Sequence, residues 1–215
     1  MAIGSLSRMG VPLPGGGQSS TSQGLLMPKL KYRFRVTLEN FGVTKPTTEL
    51  TKQVVTAARP SVQFENQIIH VYNSQIKYAG KHTWQPMNIT VRDDVGGNVT
   101  KLVGEQLQKQ FDFYEQASAA SGSDYKFLSR IEMLDGGNGD GGWAPNVLET
   151  WECYGCYLQN VNYNELAYAE SAPMEIALTI EFDNAIQVGA SGAPLGVGAT
   201  IGRTISSLAT GAGTV

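Results

Sequence analysis

The chain has 215 residues, 41% of them apolar, a formal net charge of -3 and two cysteines. That is enough apolar material for the core of one large β domain or two small ones. Two cysteines exclude a disulfide framework, and no run reaches the roughly 18 apolar residues of a membrane span.

The charge is unevenly spread. Residues 1–38 hold five basic side chains (Arg8, Lys29, Lys31, Arg33, Arg35) and no acid, whereas residues 184–215 carry only Arg203. Residues 39–183 hold ten Lys/Arg against nineteen Asp/Glu, a net of -9 that repels nucleic acid rather than gripping it. A soluble protein is expected. The opening MAIGSLSRMGVPLPGGG has neither a basic n-region nor a continuous apolar h-region, so synthesis and assembly in a cytoplasm are expected.

In chain order, residues 1–28 are rich in Gly, Ser, Pro and Thr and form a flexible arm that orders, if at all, against a neighbouring subunit. In KLKYRFRVTL, Leu30, Tyr32, Phe34, Val36 and Leu38 alternate with Lys29, Lys31, Arg33, Arg35 and Thr37, which predicts a half-buried strand over 29–38. Further strands are expected at 49–58, 66–72, 75–80 and 83–92, with turn residues Asn73-Ser74 and Ala79-Gly80 between them. One amphipathic helix is predicted from about Val99 to Ala117, with Asn98 as N-cap. Its apolar stripe is Val99, Leu102, Val103, Leu107, Phe111 and Tyr114. Strands follow at 125–134 and 147–158, and in MEIALTIEFD the row Met174, Ile176, Leu178, Ile180 and Phe182 alternates with Glu175, Ala177, Thr179, Glu181 and Asp183. Residues 187–215, rich in Gly and Ala, make a second arm, so the β domain itself spans 29–186.

Residues 134–145, LDGGNGDGGWAP, have the composition of an ion or phosphate loop. The spacing fails both. Counting from Asp135, Gly137 and Gly139 stand where a calcium loop needs oxygen ligands and Asn146 where it needs a Glu, and no Lys-Ser/Thr follows to open a phosphate-binding helix. It reads as a connection between strands. Cys153 and Cys156 have CxxC spacing, but residues three apart on a strand face opposite sides, so core or interface thiols are expected rather than a metal pair. His70 and His82 lie on separate strands without a nucleophile or carboxylate at motif spacing, and Asp93-Asp94 reads as a strand end and turn. No catalytic, cofactor-binding or metal residue is assigned, and an enzyme such as a hydrolase is disfavoured.

The run RPSVQFENQIIHVYNSQIKYAGKHTWQPMNITVRDD, followed by GEQLQKQFDFYEQ, LETWECYGCYLQNVNY and LTIEFDNA, resembles the tail tube proteins of contractile-tailed bacteriophages over about 30–186. The resemblance implies a mainly β, sandwich or barrel-forming fold with one helix, assembled as hexameric rings. These stack into the inner tail tube of a virion, surrounded by sheath protein and bounded by baseplate and tail terminator. The lumen would hold a tape measure protein and then double-stranded DNA, without sequence-specific binding, membrane insertion or cofactor. A similar fold serves as the tube of bacterial injection apparatuses that carry effector proteins, which is the alternative.

Two sets of site residues follow. Glu175, Thr179, Glu181 and Asp183 are expected to line the lumen, where acids repel phosphate. Ile68, Ile69, Val71, Tyr72, Ile76 and Tyr78 are too many for one face of a hairpin to bury and are expected to stack rings.

Overall fold

The computed structural model describes residues 28–44, 47–137, 145–169 and 171–189. Both terminal arms, apart from Pro28 and 187–189, and most of the Gly-rich loop lie outside the described residues. The chain divides into two compact units at Arg33/Phe34. In the first, Lys31 and Tyr32 form a turn, the Arg33 N–H bonds the Leu30 carbonyl, and the Arg33 guanidinium lies 5.5 Å from the Tyr32 ring. The strand predicted over 29–38 therefore starts later than its alternation suggested.

The second unit is a mainly β structure. It runs β1 (Phe34–Glu39), α1 (Thr48–Gln53), β2 (Val54–Ala57), β3 (Ser61–Val71), β4 (Ser74–Gln85), β5 (Met87–Arg92) and α2 (Asn98–Gln110). Then come β6 (Phe111–Asp112), β7 (Ala117–Ser118), α3 (Gly122–Tyr125), β8 (Phe127–Leu134), β9 (Val147–Asn162), β10 (Glu175–Glu181) and β11 (Asn184–Gly189). The main sheet is antiparallel with strand order β1-β8-β9-β10-β5-β2, and β11 also pairs with β9.

β9 organises this sheet. Its first half pairs with β8 on one side and β11 on the other, and its second half pairs with β10. β10 and β11 follow one another along the same edge of β9, with the break at Phe182–Asp183 facing an irregularity at Tyr154–Cys156. Gly155 supplies that irregularity: its φ is +68°, and a Cβ there would collide with the Asp183 carboxylate. A bulge in a shared strand is the usual way for a sheet to turn a corner. Val36, Leu38, Met87, Ile89, Val91, Ile131, Ile176, Leu178 and Ile180 point into the core that the fold encloses.

The bulge also corrects the expectation that Cys153 and Cys156 face opposite sides. Both are fully buried, because the extra residue at the corner resets the alternation, and the Cys156 thiol lies 3.2 Å from the Cys153 carbonyl. Burial pushes each thiol up to about 12.

Other elements also differ from expectation. The turn expected at Ala79-Gly80 between strands 75–80 and 83–92 does not form: β4 runs through it from Ser74 to Gln85, with only a register shift there, and the next strand begins at Met87. Residues 48–53 form a helix where a strand was predicted over 49–58. Leu50 is buried while Lys52 and Gln53 stay wetter, a helical spacing, and period two begins only at Val54. The long helix ends at Gln110 rather than Ala117, since Phe111–Asp112 turns back to pair with Ala117–Ser118. Its N-cap is Gly97, at φ +67°. Asp94 supplies the missing acceptor, taking the Val99 N–H at 3.1 Å and the Asn98 amide at 2.7 Å, and Asp93 takes the Thr100 hydroxyl at 2.8 Å. Asp94 thus meets an orphan N–H of the helix N-terminus, and both carboxylates suit its dipole.

The helix is docked by amides. Fully buried Gln106 accepts from the Gly42 N–H at 2.9 Å and donates to the Tyr125 carbonyl at 2.7 Å. Gln110 pairs with both backbone groups of Leu158, at 2.9 and 3.0 Å, where β9 has run past the end of β8. Glu105 accepts from the Thr44 hydroxyl and from the Thr44 and Val43 N–H groups, which holds its carboxyl at about 2.

Candidate functional site

The first candidate surface is the hairpin of β3 and β4, a separate two-stranded sheet joined by a turn at Tyr72-Asn73, one residue before the expected Asn73-Ser74. Tyr72 takes a positive φ of 42° at the tip and is 100% exposed. Almost every residue of both strands is exposed. An isolated hairpin is marginal in water, and clustered exposed apolar residues mark contact surfaces.

Register sorts the predicted stacking residues. Directly opposed residues share a face, and the pairs Gln67–Tyr78, Ile69–Ile76 and Val71–Ser74 put Ile69, Val71, Ile76 and Tyr78 together. Ile68 lies opposite Lys77 on the other face, beside Asn66 and His70. So four of the six form one apolar face, Tyr72 crowns it and Ile68 backs it.

The hairpin is rooted by aromatic rings. Phe64 and His82 face one another at 6.2 Å, His82 meets Trp84 edge-on at 6.1 Å, and Trp84 lies 5.6 Å from core residue Phe182. A register shift between Phe64 and Asn66 separates this root from the projecting part.

The second surface is the wet face of β10 and its neighbours. Ile176, Leu178 and Ile180 are buried, and Glu175, Ala177, Thr179 and Glu181 lie on the opposite side, half-buried. Met174, predicted in the core row, is exposed because the strand begins after it. Thr179 stands between Asn88 and Asn160 and donates to the Asn88 amide oxygen at 3.1 Å; Ala177 stands between Thr90 and Asn162, and Glu175 opposite Arg92. Asp183 is engaged elsewhere. Its carboxylate pairs with Lys126 at 2.6 Å, and its N–H bonds the Tyr154 carbonyl, tying the β10–β11 break to the corner. This face is mainly amide and hydroxyl, with Glu175 and Glu181 as its acids and Arg92 as a base.

The outer face of β1, β8 and β9 carries ion pairs: Arg35 with Glu132 at 2.6 Å, and Arg130 with Glu39 at 2.6 Å and Glu152 at 3.1 Å. The Tyr154 hydroxyl donates to Glu152 at 2.6 Å. Of the basic row, Arg35 is thus salt-bridged.

A third surface was not anticipated. The loop 163–174 between β9 and β10 exposes Tyr163, Leu166, Tyr168 and Met174 beside an open cleft of ≈ 1130 Å³. Its sequence signal was the placing of large apolar residues in an otherwise Ala/Asn/Glu/Ser loop. Among the described residues, no cluster of three or more His, Cys, Asp or Glu suits a metal, and no helix is long and apolar enough to cross a membrane.

No protein-family model and no curated protein matches the chain. Solved structures do. The fold matches a chain of the anti-feeding prophage cap, a tube-terminating cap, with TM-score 0.57 and 12% identity over 81% of this chain and 99% of that one. It also matches a chain of the sixfold-symmetrised anti-feeding prophage baseplate, with TM-score 0.56 and 12% identity over 77% and 99%. A chain of the extended sheath-tube complex of the PVC extracellular contractile injection system matches with TM-score 0.51 and 15% identity over 81% and 99%. The fold is thus shared with chains of contractile injection assemblies.

Proposed function

We propose that the chain is the repeating subunit of the inner tube of a contractile bacteriophage tail. Hexameric rings stack into a tube inside the sheath, between baseplate and terminator. The lumen holds a tape measure protein during assembly and passes double-stranded DNA at ejection. The particle is a virion assembled in the host cytoplasm. The observation that carries this reading is the β3–β4 hairpin, rooted in the core by Trp84 yet exposed on both faces, in a fold shared with chains of sheath-tube and baseplate assemblies. A hairpin of that length with an apolar face is stable in water only when a neighbour covers it.

In this reading the wet face of β10 and β5 lines the lumen. Its amides and hydroxyls keep a water layer, and Glu175 and Glu181, repeated around a ring, repel phosphate without strong fields. The chain's role is structural, with no turnover. A second reading, the tube of an injection apparatus carrying proteins, is favoured by the source of the similar chains, anti-feeding prophage and extracellular contractile injection system.

Negative-stain microscopy of the purified chain tests the shared part of both readings: hollow rings or tubes are expected, and a monomer that persists at high concentration would falsify them. Nuclease-protected double-stranded DNA in particles made from the complete gene cluster supports the phage; particles that hold protein cargo and no DNA support the injection apparatus.

A further inference from the structure

The hairpin and the 163–174 loop sit at opposite ends of one sheet. The hairpin leaves between β2 and β5, so it springs from the end where Met87 pairs with Ile180. The loop joins β9 to β10 at the other end, where Glu175 pairs with Arg92 and Asn162 with Ala177. The strands between the two ends are about 20 Å long. Each end presents exposed apolar side chains. At the hairpin these are Ile69, Val71, Ile76 and Tyr78 below the Tyr72 tip, and at the loop they are Leu166 and Tyr168 beside the cleft. The charges are opposite as well. Residues 61–85 hold Lys77 and Lys81 against Glu65, whereas the loop end holds Glu165, Glu175 and Asp93, whose N–H bonds the Met174 carbonyl, against Arg92 opposite Glu175.

Two unlike, complementary patches at opposite ends of one body make a head-to-tail interface, and such an interface repeats along an axis when its rotation does not close a ring. We propose that the β3–β4 hairpin of one subunit docks on the 163–174 loop of a subunit in the next ring, the Tyr72 tip entering the cleft beside Leu166 and Tyr168. This rests on the reading that the chain stacks into a tube and names the surface that receives the hairpin. The contact runs along the strands of β5 and β10, so each added ring extends their wet face in the same direction.

Complementation tests it. One variant carries Tyr72→Asp with Ile76→Asp, and a second carries Leu166→Asp with Tyr168→Asp; all four side chains are exposed, and unchanged melting temperatures confirm that both variants fold. Neither variant elongates alone. Each keeps one intact surface, so a mixture yields complexes holding the two variants one to one and nothing longer, read by mass photometry. If the parent chain forms tubes but the mixture gives no mixed complex, or the loop variant elongates normally, the hairpin docks elsewhere and the proposal is overturned. A loop variant that stacks normally but loses sheath binding assigns the loop to the sheath and overturns it equally. A parent chain that forms no tubes at all fails the tube reading instead.

Discussion

Trp84, at the root of the β3–β4 hairpin, lies 5.6 Å from Phe182 with the rings inclined at 48°. The indole thereby couples the projecting hairpin to the corner where β10 gives way to β11. Trp84→Ala removes that link, and large-to-small changes of a part-buried aromatic cost about 3 kcal/mol. Urea unfolding should show the loss, and hydrogen exchange should show faster opening across 61–85 than across β8 and β9. Uniform protection in the variant counts against the coupling.

Gln106 is fully buried, and its amide serves the Gly42 N–H and the Tyr125 carbonyl. Gln106→Leu keeps the volume and orphans both backbone groups, at about 1–3 kcal/mol each. Chemical unfolding is expected to register a destabilisation of that size. A variant as stable as the parent means that water reaches those groups.

The Glu105 carboxyl is held at about 2, from an ordinary 4.5, by the Thr44 hydroxyl first and then by the Thr44 and Val43 N–H groups. The folded value is depressed, so its contribution is fully present above about 4.5 and is lost as pH falls towards 2. Comparing parent and Glu105→Gln by thermal unfolding, the stability gap should be constant above pH 5 and close as pH falls from there. A gap that widens on acidification contradicts this assignment.

Cys153 and Cys156 are both buried, with thiols pushed up to about 12. The thiolate is the nucleophile. Alkylation of the native protein at pH 8 should therefore follow the rate of unfolding, with both cysteines labelled together in denaturant. Rapid native labelling of either one places it at the surface.

In the tube reading, Glu175 and Glu181 supply the acidic part of the lumen wall, and the charge of Asp183 is compensated by Lys126. Glu175→Lys with Glu181→Lys leaves the core row of β10 untouched. Assembled tubes of this variant should acquire DNA binding that weakens steeply with salt. Asp183→Lys should instead lower the melting temperature, because it opposes Lys126. Tubes of the double variant that ignore DNA at low salt argue against a lumenal face.

Much of this protein was legible in its sequence because alternation is a local signal. Val36 and Leu38, Ile176, Leu178 and Ile180, and the Val99, Leu102 and Val103 stripe are buried as their spacing predicts. So was the hairpin, since Ile68 through Tyr78 carry more apolar side chains than a two-stranded ribbon can bury. What alternation could not give was whatever depends on a distant partner. Residues 48–53 became a helix because Leu50 found the core, and Asp94 became the cap of α2 because Gly97 turned the chain back towards it. Cys153 and Cys156 share the core only because Gly155 bulges where β9 changes neighbours. β11 was hidden in the Ala/Gly-rich tail, as its strand character comes from pairing with β9 rather than from its own side chains. Sequence periodicity determines which face of a strand is apolar; the tertiary structure decided where strands bend, which acids meet a lysine, and that the hairpin and the 163–174 loop stand at opposite ends of one sheet, because those relations arise between residues far apart in the chain.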